Sequence, residues 1–117
     1  MSKNKEPKEP KEHKASKPPK PHRAFVERYP DLANAWELIA QASAKGPLDP
    51  KVARLVKLGI AMGSMREGAV RASIRKAIDL GITVQELEQA VALAAGTVGL
   101  PSAVALHTWL RDELDES

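Results

Sequence analysis

The side chains able to do chemistry in this chain are few, and most lie on two successive helical segments. Glu67 and Arg71 stand four residues apart in EGAVRASIRKAIDLG, so on a helix they share a face. That spacing supports two readings. One is a surface ion pair; the other is a general base oriented by an arginine, with substrate in a crevice between subunits. Arg54 and Arg66 carry guanidinium groups whose planar fork matches a carboxylate. Both lie toward the polar edges of their helices, where a solvated arginine is the plainer reading. Ser73 falls on an apolar stripe, and its hydroxyl becomes a nucleophile only beside a base, which the sequence does not offer. The alternative is a hydroxyl bonded back to a helix carbonyl. His107, near Leu106 and Trp109, is the last candidate, with a structural or exposed histidine as the plainer reading. The candidate catalytic residues are therefore Glu67, Ser73 and Arg54, and the candidate substrate-binding residues are Arg71 and His107.

Much chemistry is excluded outright. The chain has no cysteine, so disulfides, thiol nucleophiles, thiolate metal sites and dithiol redox chemistry are absent from it. A metal at His107 would need two or more further ligands, and none stands at helical spacing around it, so no metal is expected. The GTVG segment lacks the preceding strand and the lysine of a phosphate-cradling loop, and no cofactor is expected. The positive N-terminus has no apolar core behind it, unlike a secretory signal. No apolar run approaches the roughly 18 residues of a membrane span. The expectation is a soluble cytoplasmic protein.

These side chains must be positioned by a small helical domain. At 117 residues the chain suits one domain, and its aromatics are only Phe25, Tyr29, Trp36 and Trp109. A core of Ala, Val, Leu and Ile favours close-packed helices over sheets. The net charge of +3 is unevenly spread: residues 1–23 hold eight Lys/Arg against three Glu, and the remainder is slightly acidic. Residues 1–22, KEPKEPKEHKASKPPKPH in the main, read as a disordered Lys/Pro-rich tail with polyproline II bias. The helical domain spans 23–117. Phe25, Val26 and Tyr29 make a short helical turn, and Asp31 caps a helix with Leu32, Ala35, Trp36, Ile39 and Ala42 inward. Gly46 ends it as a left-handed residue. Asp49-Pro50 opens the next helix, with Val52, Leu55, Val56, Gly59, Ile60 and Gly63 as its buried face and the two glycines allowing a neighbouring helix close. A third runs from about Arg66 to Leu80 on Ala69, Val70, Ser73, Ile74, Ala77 and Ile78. Thr83 and Glu86 form a capping box for a fourth, carrying Leu87, Ala90, Val91, Ala94 and Ala95. Gly96 to Gly99 breaks it. A last helix starts at Pro101 or Ser102 and carries Val104, Ala105, Thr108, Trp109 and Leu114. The fold class is all-α, five to six helices.

The succession KVARLVKLGIAM, IRKAIDLGIT, TVQELEQAVALAA and GTVGLPSAVAL resembles the carboxymuconolactone decarboxylase family, which includes the alkylhydroperoxidase D-like proteins. Ala77, Gly81, Glu86 and Gly99 to Pro101 carry most of the resemblance, over about residues 25–114. It implies an alkylhydroperoxidase D-like helical subunit assembled as a trimer or hexamer. It also implies where chemistry would sit. Alkylhydroperoxidase-like members use two cysteines and a histidine on the third helix with a glutamate from the helix before. Those positions fall here on Arg66, Ala69, Ser73 and Arg54, all replaced. Decarboxylase-like members keep only the glutamate and the histidine, and those too are missing. Three functions follow as alternatives. The first is an oligomeric structural or small-ligand-binding protein. The second is a non-thiol enzyme, of lyase or decarboxylase type, acting on a small carboxylate through Glu67 and arginines. The third is a nucleic-acid-associated protein using its basic tail. For the tail, a solubilising extension is the plainer reading, because no aromatics interleave with its lysines as base-stacking platforms would require. A helix-turn-helix reader is disfavoured separately, because its second helix VQELEQAVALAAG carries glutamates and no cation.

Overall fold

Among the described residues, a capping box, prolines and glycines cut the chain into six helices, and there is no strand. The computed structural model describes residues 20–116. The helices are α1 (Lys20–Arg28), α2 (Pro30–Ser43), α3 (Pro50–Ser64), α4 (Glu67–Asp79), α5 (Val84–Val98) and α6 (Leu100–Glu116). They fall into two units, residues 20–49 and 50–116. The tail reading of residues 1–19 lies outside the described residues, while Lys20 to His22 are the first turn of α1 rather than tail.

In the unit of residues 20–49, α1 packs on α2 and the Phe25 and Tyr29 rings meet at 5.0 Å between centroids. Tyr29, not Asp31, is the N-cap of α2, with Pro30 in the first turn, where its missing N–H costs nothing. The helix closes on Ala44 in the right-handed region, so Gly46, at φ 152°, is not the left-handed cap expected of it. The stripe of Leu32, Ala35, Trp36, Ile39 and Ala42 is not buried; Trp36 is 67 % exposed. An amphipathic pattern reports a preferred face but not whether the protomer supplies anything to cover it.

The unit of residues 50–116 holds the core. Helices α3 and α6 each pack against both α4 and α5. Leu58, Met62, Val70, Ile74, Ala77, Leu87, Leu106 and Leu110 fill the centre. On α4 the buried side chains are Val70, Ser73, Ile74 and Ala77, which matches the expected stripe except at exposed Ala69 and half-buried Ile78. On α3 the face is turned away from the expected one. Leu58 and Met62 are buried, Leu55 is half-buried, and Val52, Val56 and Ile60 are exposed, Ile60 at 69 %. Among the described residues of this unit, nothing approaches a Cβ built on Gly59 or Gly63, so no helix here uses their small size. This helix is apolar on two sides, and periodicity alone cannot choose between them. On α6 the buried positions are Ala103, Leu106, Leu110 and Glu113, and Val104 and Thr108 are exposed. The true stripe was hidden by its acidic member.

The α4–α5 turn follows from local chemistry. Gly81 takes φ 86°, and two return bonds close the helix: Gly81 N–H to Ile78 O (3.0 Å) and Ile82 N–H to Ala77 O (3.0 Å). Buried Ile82 then seals Ala77. The capping box is complete. The Glu86 N–H donates to Thr83 Oγ1 at 3.1 Å, and the Thr83 N–H donates to Glu86 Oε1 at 2.8 Å. Hydrogen bonds from the Thr83 N–H and then the Thr83 side chain hold the Glu86 carboxyl below its ordinary pKa. Gly96 does not break α5, which runs to Val98; Gly99 at φ 90°, ψ 161° makes the break alone. No helix among the described residues is long and apolar enough to cross a membrane.

Candidate ligand site

Two helices bring Arg54 and Ser73 together. Arg54 lies four residues before buried Leu58 on α3, so its stem runs beside the core while its head reaches the edge. Ser73 lies between Val70 and Ile74 on the inner face of α4 and is 6 % exposed. Arg54 Nη1 donates to Ser73 Oγ at 3.4 Å, a long bond. Among the described residues Ser73 shows this contact and no bond back to its own helix, the bond expected of it and made by Ser43, Ser64 and Thr108. The Arg54 Nε–H is buried and meets no acceptor among the described residues. Burial lowers the Arg54 pKa from the ordinary arginine value, because the low-dielectric surroundings disfavour its charge.

More cations stand beside this contact. Lys57 is one helical turn after Arg54, and Lys76 is one turn after Ser73. The Lys76 pKa is lowered by burial first and then by the charges of Arg54, Lys57 and Arg75. Sequence reasoning missed both lysines. The available signal was their spacing of three from the two candidates. An arginine that stays charged and a serine without a base cannot shuttle protons near neutral pH, but together they can hold an anion.

Glu67 and Arg71 form the ion pair their spacing suggested, Nε to Oε2 at 2.9 Å, with Glu67 about half exposed. Arg71 does far more than this. Its Nη2 meets Asp112 at 3.0 Å and its Nη1 meets Glu113 at 3.0 Å, while the other Glu113 oxygen takes Arg75 Nη1 at 3.2 Å. Hydrogen bonds to Asp112, Glu113 and Glu67, in that order, raise the Arg71 pKa. Asp112, Glu113 and Arg75 were not singled out from sequence, although Arg71 and Arg75 at i,i+4 were a usable sign. His107 is exposed, with Nε2 4.0 Å from Glu88 Oε2, and Arg111 Nη1 lies 3.8 Å from the same oxygen. The structure thus joins Arg54 to Ser73 and Glu67 to Arg71, and puts His107 with Glu88 and Arg111 instead. Arg66 is the exposed N-cap of α4.

A separate crevice of about 470 Å³ opens between α3 and α5, lined by Leu55, Gly59, Gly63, Ala90, Leu93 and Thr97 among others. Neither Arg54 nor Ser73 lines it. Among the described residues, no group of three or more His, Cys, Asp or Glu is arranged to hold a metal ion.

The model of the carboxymuconolactone decarboxylase family matches residues 30–112, from the start of α2 almost to the end of α6. The chain belongs to this family. Neither a curated protein nor a solved structure matches it. As a carboxymuconolactone decarboxylase family chain it includes Arg54, Ser73, Glu67 and Arg71 within the matched segment. In the alignment that the resemblance implies, Arg54 and Ser73 occupy the glutamate and histidine positions. Arg54 and Ser73 are a guanidinium–hydroxyl pair in contact.

Proposed function

We propose that this family member is a binding protein, a homo-oligomeric helical subunit that holds a small anion at Arg54–Ser73 and does no thiol or histidine chemistry. The observation that carries the reading is the 3.4 Å contact between Arg54 Nη1 and Ser73 Oγ, beside a buried N–H with no acceptor. Guanidinium, hydroxyl and ammonium groups recognise anions by charge-assisted hydrogen bonds. A small carboxylate is the ligand class the family resemblance suggests. The enzyme alternative through Glu67 is less well supported, because Glu67 is paired with Arg71, which is itself engaged by Asp112 and Glu113 of α6.

Oligomerisation is supported by the apolar side chains exposed on the 50–116 unit, Val52, Val56, Ile60, Leu93, Leu100 and Val104. Light scattering at micromolar concentration is expected to give a trimer or hexamer; a monomer would overturn that part. Calorimetric titration of the full chain with acetate, phosphate and sulfate is expected to show saturable binding of at least one, weakened roughly tenfold or more in Arg54→Gln. Binding that ignores Arg54, or turnover of an organic hydroperoxide by the purified chain, would sink the reading.

A further inference from the structure

We propose that the α3–α5 face of the 50–116 unit is a twofold interface, and that its occupant is the same face of a second copy. This rests on the homo-oligomer part of the reading above and is independent of the anion. Two rows run side by side along α3 at i, i+4 spacing. Val52, Val56 and Ile60 form a bulky, exposed row. Leu55, Gly59 and Gly63 form the other, which walls the crevice of about 470 Å³ against α5. Among the described residues nothing lies within 4 Å of a Cβ built on either glycine. Glycine weakens a helix interior relative to alanine, so two of them one turn apart leave a furrow at a cost to α3 itself.

Rows at this spacing are the ridges and grooves by which helices pack. A bulky row beside an empty one makes α3 complementary to itself. When a second α3 crosses the first, the bulky row of each copy seats over the glycine row of the other. One twofold contact thus fills both furrows and covers both ridges. In a head-to-tail ring, two different neighbours would have to meet adjacent rows of one helix, where there is room for one.

The area of the face suits a second copy. Helices α3 and α5 have 15 residues each. At about 1.5 Å rise per residue and about 10–12 Å width per helix, they present roughly 480 Å² in projection. The accessible area of a ridged face exceeds its projection, which brings it toward the roughly 800 Å² that each partner of a stable pair buries. The composition suits it as well. Leu93 of α5, 72 % exposed, faces the furrow from the far wall. Glu86 is the one charged residue lining the crevice, and its carboxylate is engaged in the capping box. Interface cores are poor in charge in the same way. A small molecule in the crevice would leave Val52, Val56 and Ile60 in water, whereas a second copy covers them too.

The test uses the full chain in sedimentation equilibrium at micromolar concentration. The wild type is expected to be an even assembly, a dimer or a hexamer. Ile60→Glu and Gly63→Leu are each expected to weaken the twofold association roughly tenfold or more, so that a hexamer falls to trimers or a dimer to monomers. The helical circular dichroism should persist in both, because Ile60 is exposed, leucine favours a helix and the new Cβ meets nothing in its own chain. Since the chain has no cysteine, Val56→Cys gives a single thiol close to the twofold axis. A short bismaleimide should join it to its own copy as a covalent dimer, and should not join Arg111→Cys on α6. A trimer, or an assembly that both variants leave intact, overturns the interface while leaving the homo-oligomer reading standing. A monomeric wild type overturns both. A dimer that the variants split keeps the interface and overturns the trimer or hexamer. Equal cross-linking from Arg111→Cys overturns the placement on α3. An apolar dye that fills the crevice of the wild-type assembly until Gly63→Leu closes it would give the furrow to a small molecule and overturn the proposal.

Discussion

Arg71 and Arg54 sit on adjoining helices of one four-helix unit and live in opposite electrostatic worlds. Arg71 meets Glu67, Asp112 and Glu113, and Glu113, only 4 % exposed, also meets Arg75. Arg54 is half-buried, has a hydroxyl as its only partner among the described residues, and has further cations near it. The first arrangement is what a fold does with charge when charge is structural: every buried polar atom is answered, and α4 is locked to α6. The second leaves a cation without a carboxylate among the described residues, and the proposed anion binding rests on that difference.

Four measurements would break or sharpen that contrast. The largest effect is expected from Glu113→Ala, which leaves two arginines short of a partner and should cost about 3 kcal/mol of stability in urea unfolding. A cost below about 0.5 kcal/mol would place this cluster among ordinary surface pairs and erase the contrast. Arg54→Met comes next, with the opposite sign. Removing a half-buried cation that lacks a counterion should leave stability unchanged or raise it by up to about 1 kcal/mol. A loss comparable to that of Glu113→Ala would show that Arg54 is structural too.

A smaller effect concerns pH. The folded Lys76 pKa lies below that of the unfolded chain, so between those values the unfolded state binds more protons and stability rises with pH. Below the folded value the penalty of the charged lysine is fully present. Urea unfolding across the alkaline range should show that rise, and Arg54→Met should flatten it by removing one of the repelling charges. An unchanged slope would mean that Arg54 and Lys76 do not sense each other. The smallest effect is expected from Glu67→Gln, about 0.3 kcal/mol, since Arg71 keeps Asp112 and Glu113. A loss above about 1 kcal/mol would make Glu67 an essential member of the cluster rather than its exposed rim.

Local chemistry was legible wherever the information is local. The Thr83–Glu86 box, the Gly81 turn and the α4 stripe through Val70, Ser73, Ile74 and Ala77 all appear as expected. Each depends on residues within a turn or two. The faces of α3 and α6 were misjudged for one shared reason. Helix α3 offers apolar side chains on two sides, and the buried stripe of α6 includes Glu113, which a hydrophobic pattern discards. The α2 stripe was visible as a pattern, but its burial depended on what lies beside it. At the candidate site the sequence marked Arg54 and Ser73 through the family resemblance and marked Glu67–Arg71 through spacing. It did not mark Lys57 and Lys76, because lysines on helix edges look alike until a second helix makes some of them neighbours.

By itself, then, the sequence determined that this protein is helical, that its turns fall where glycine and capping residues put them, and that it holds no thiol. These are properties of residue types and of neighbours close in the chain, and they need no fold. Only the tertiary structure decided which arginine is answered and which is not. Arg71 and Glu113 are forty-two positions apart, and Arg54 and Ser73 nineteen. Charge compensation acts through space over a few ångströms, so it is set by which helices pack side by side and at what register.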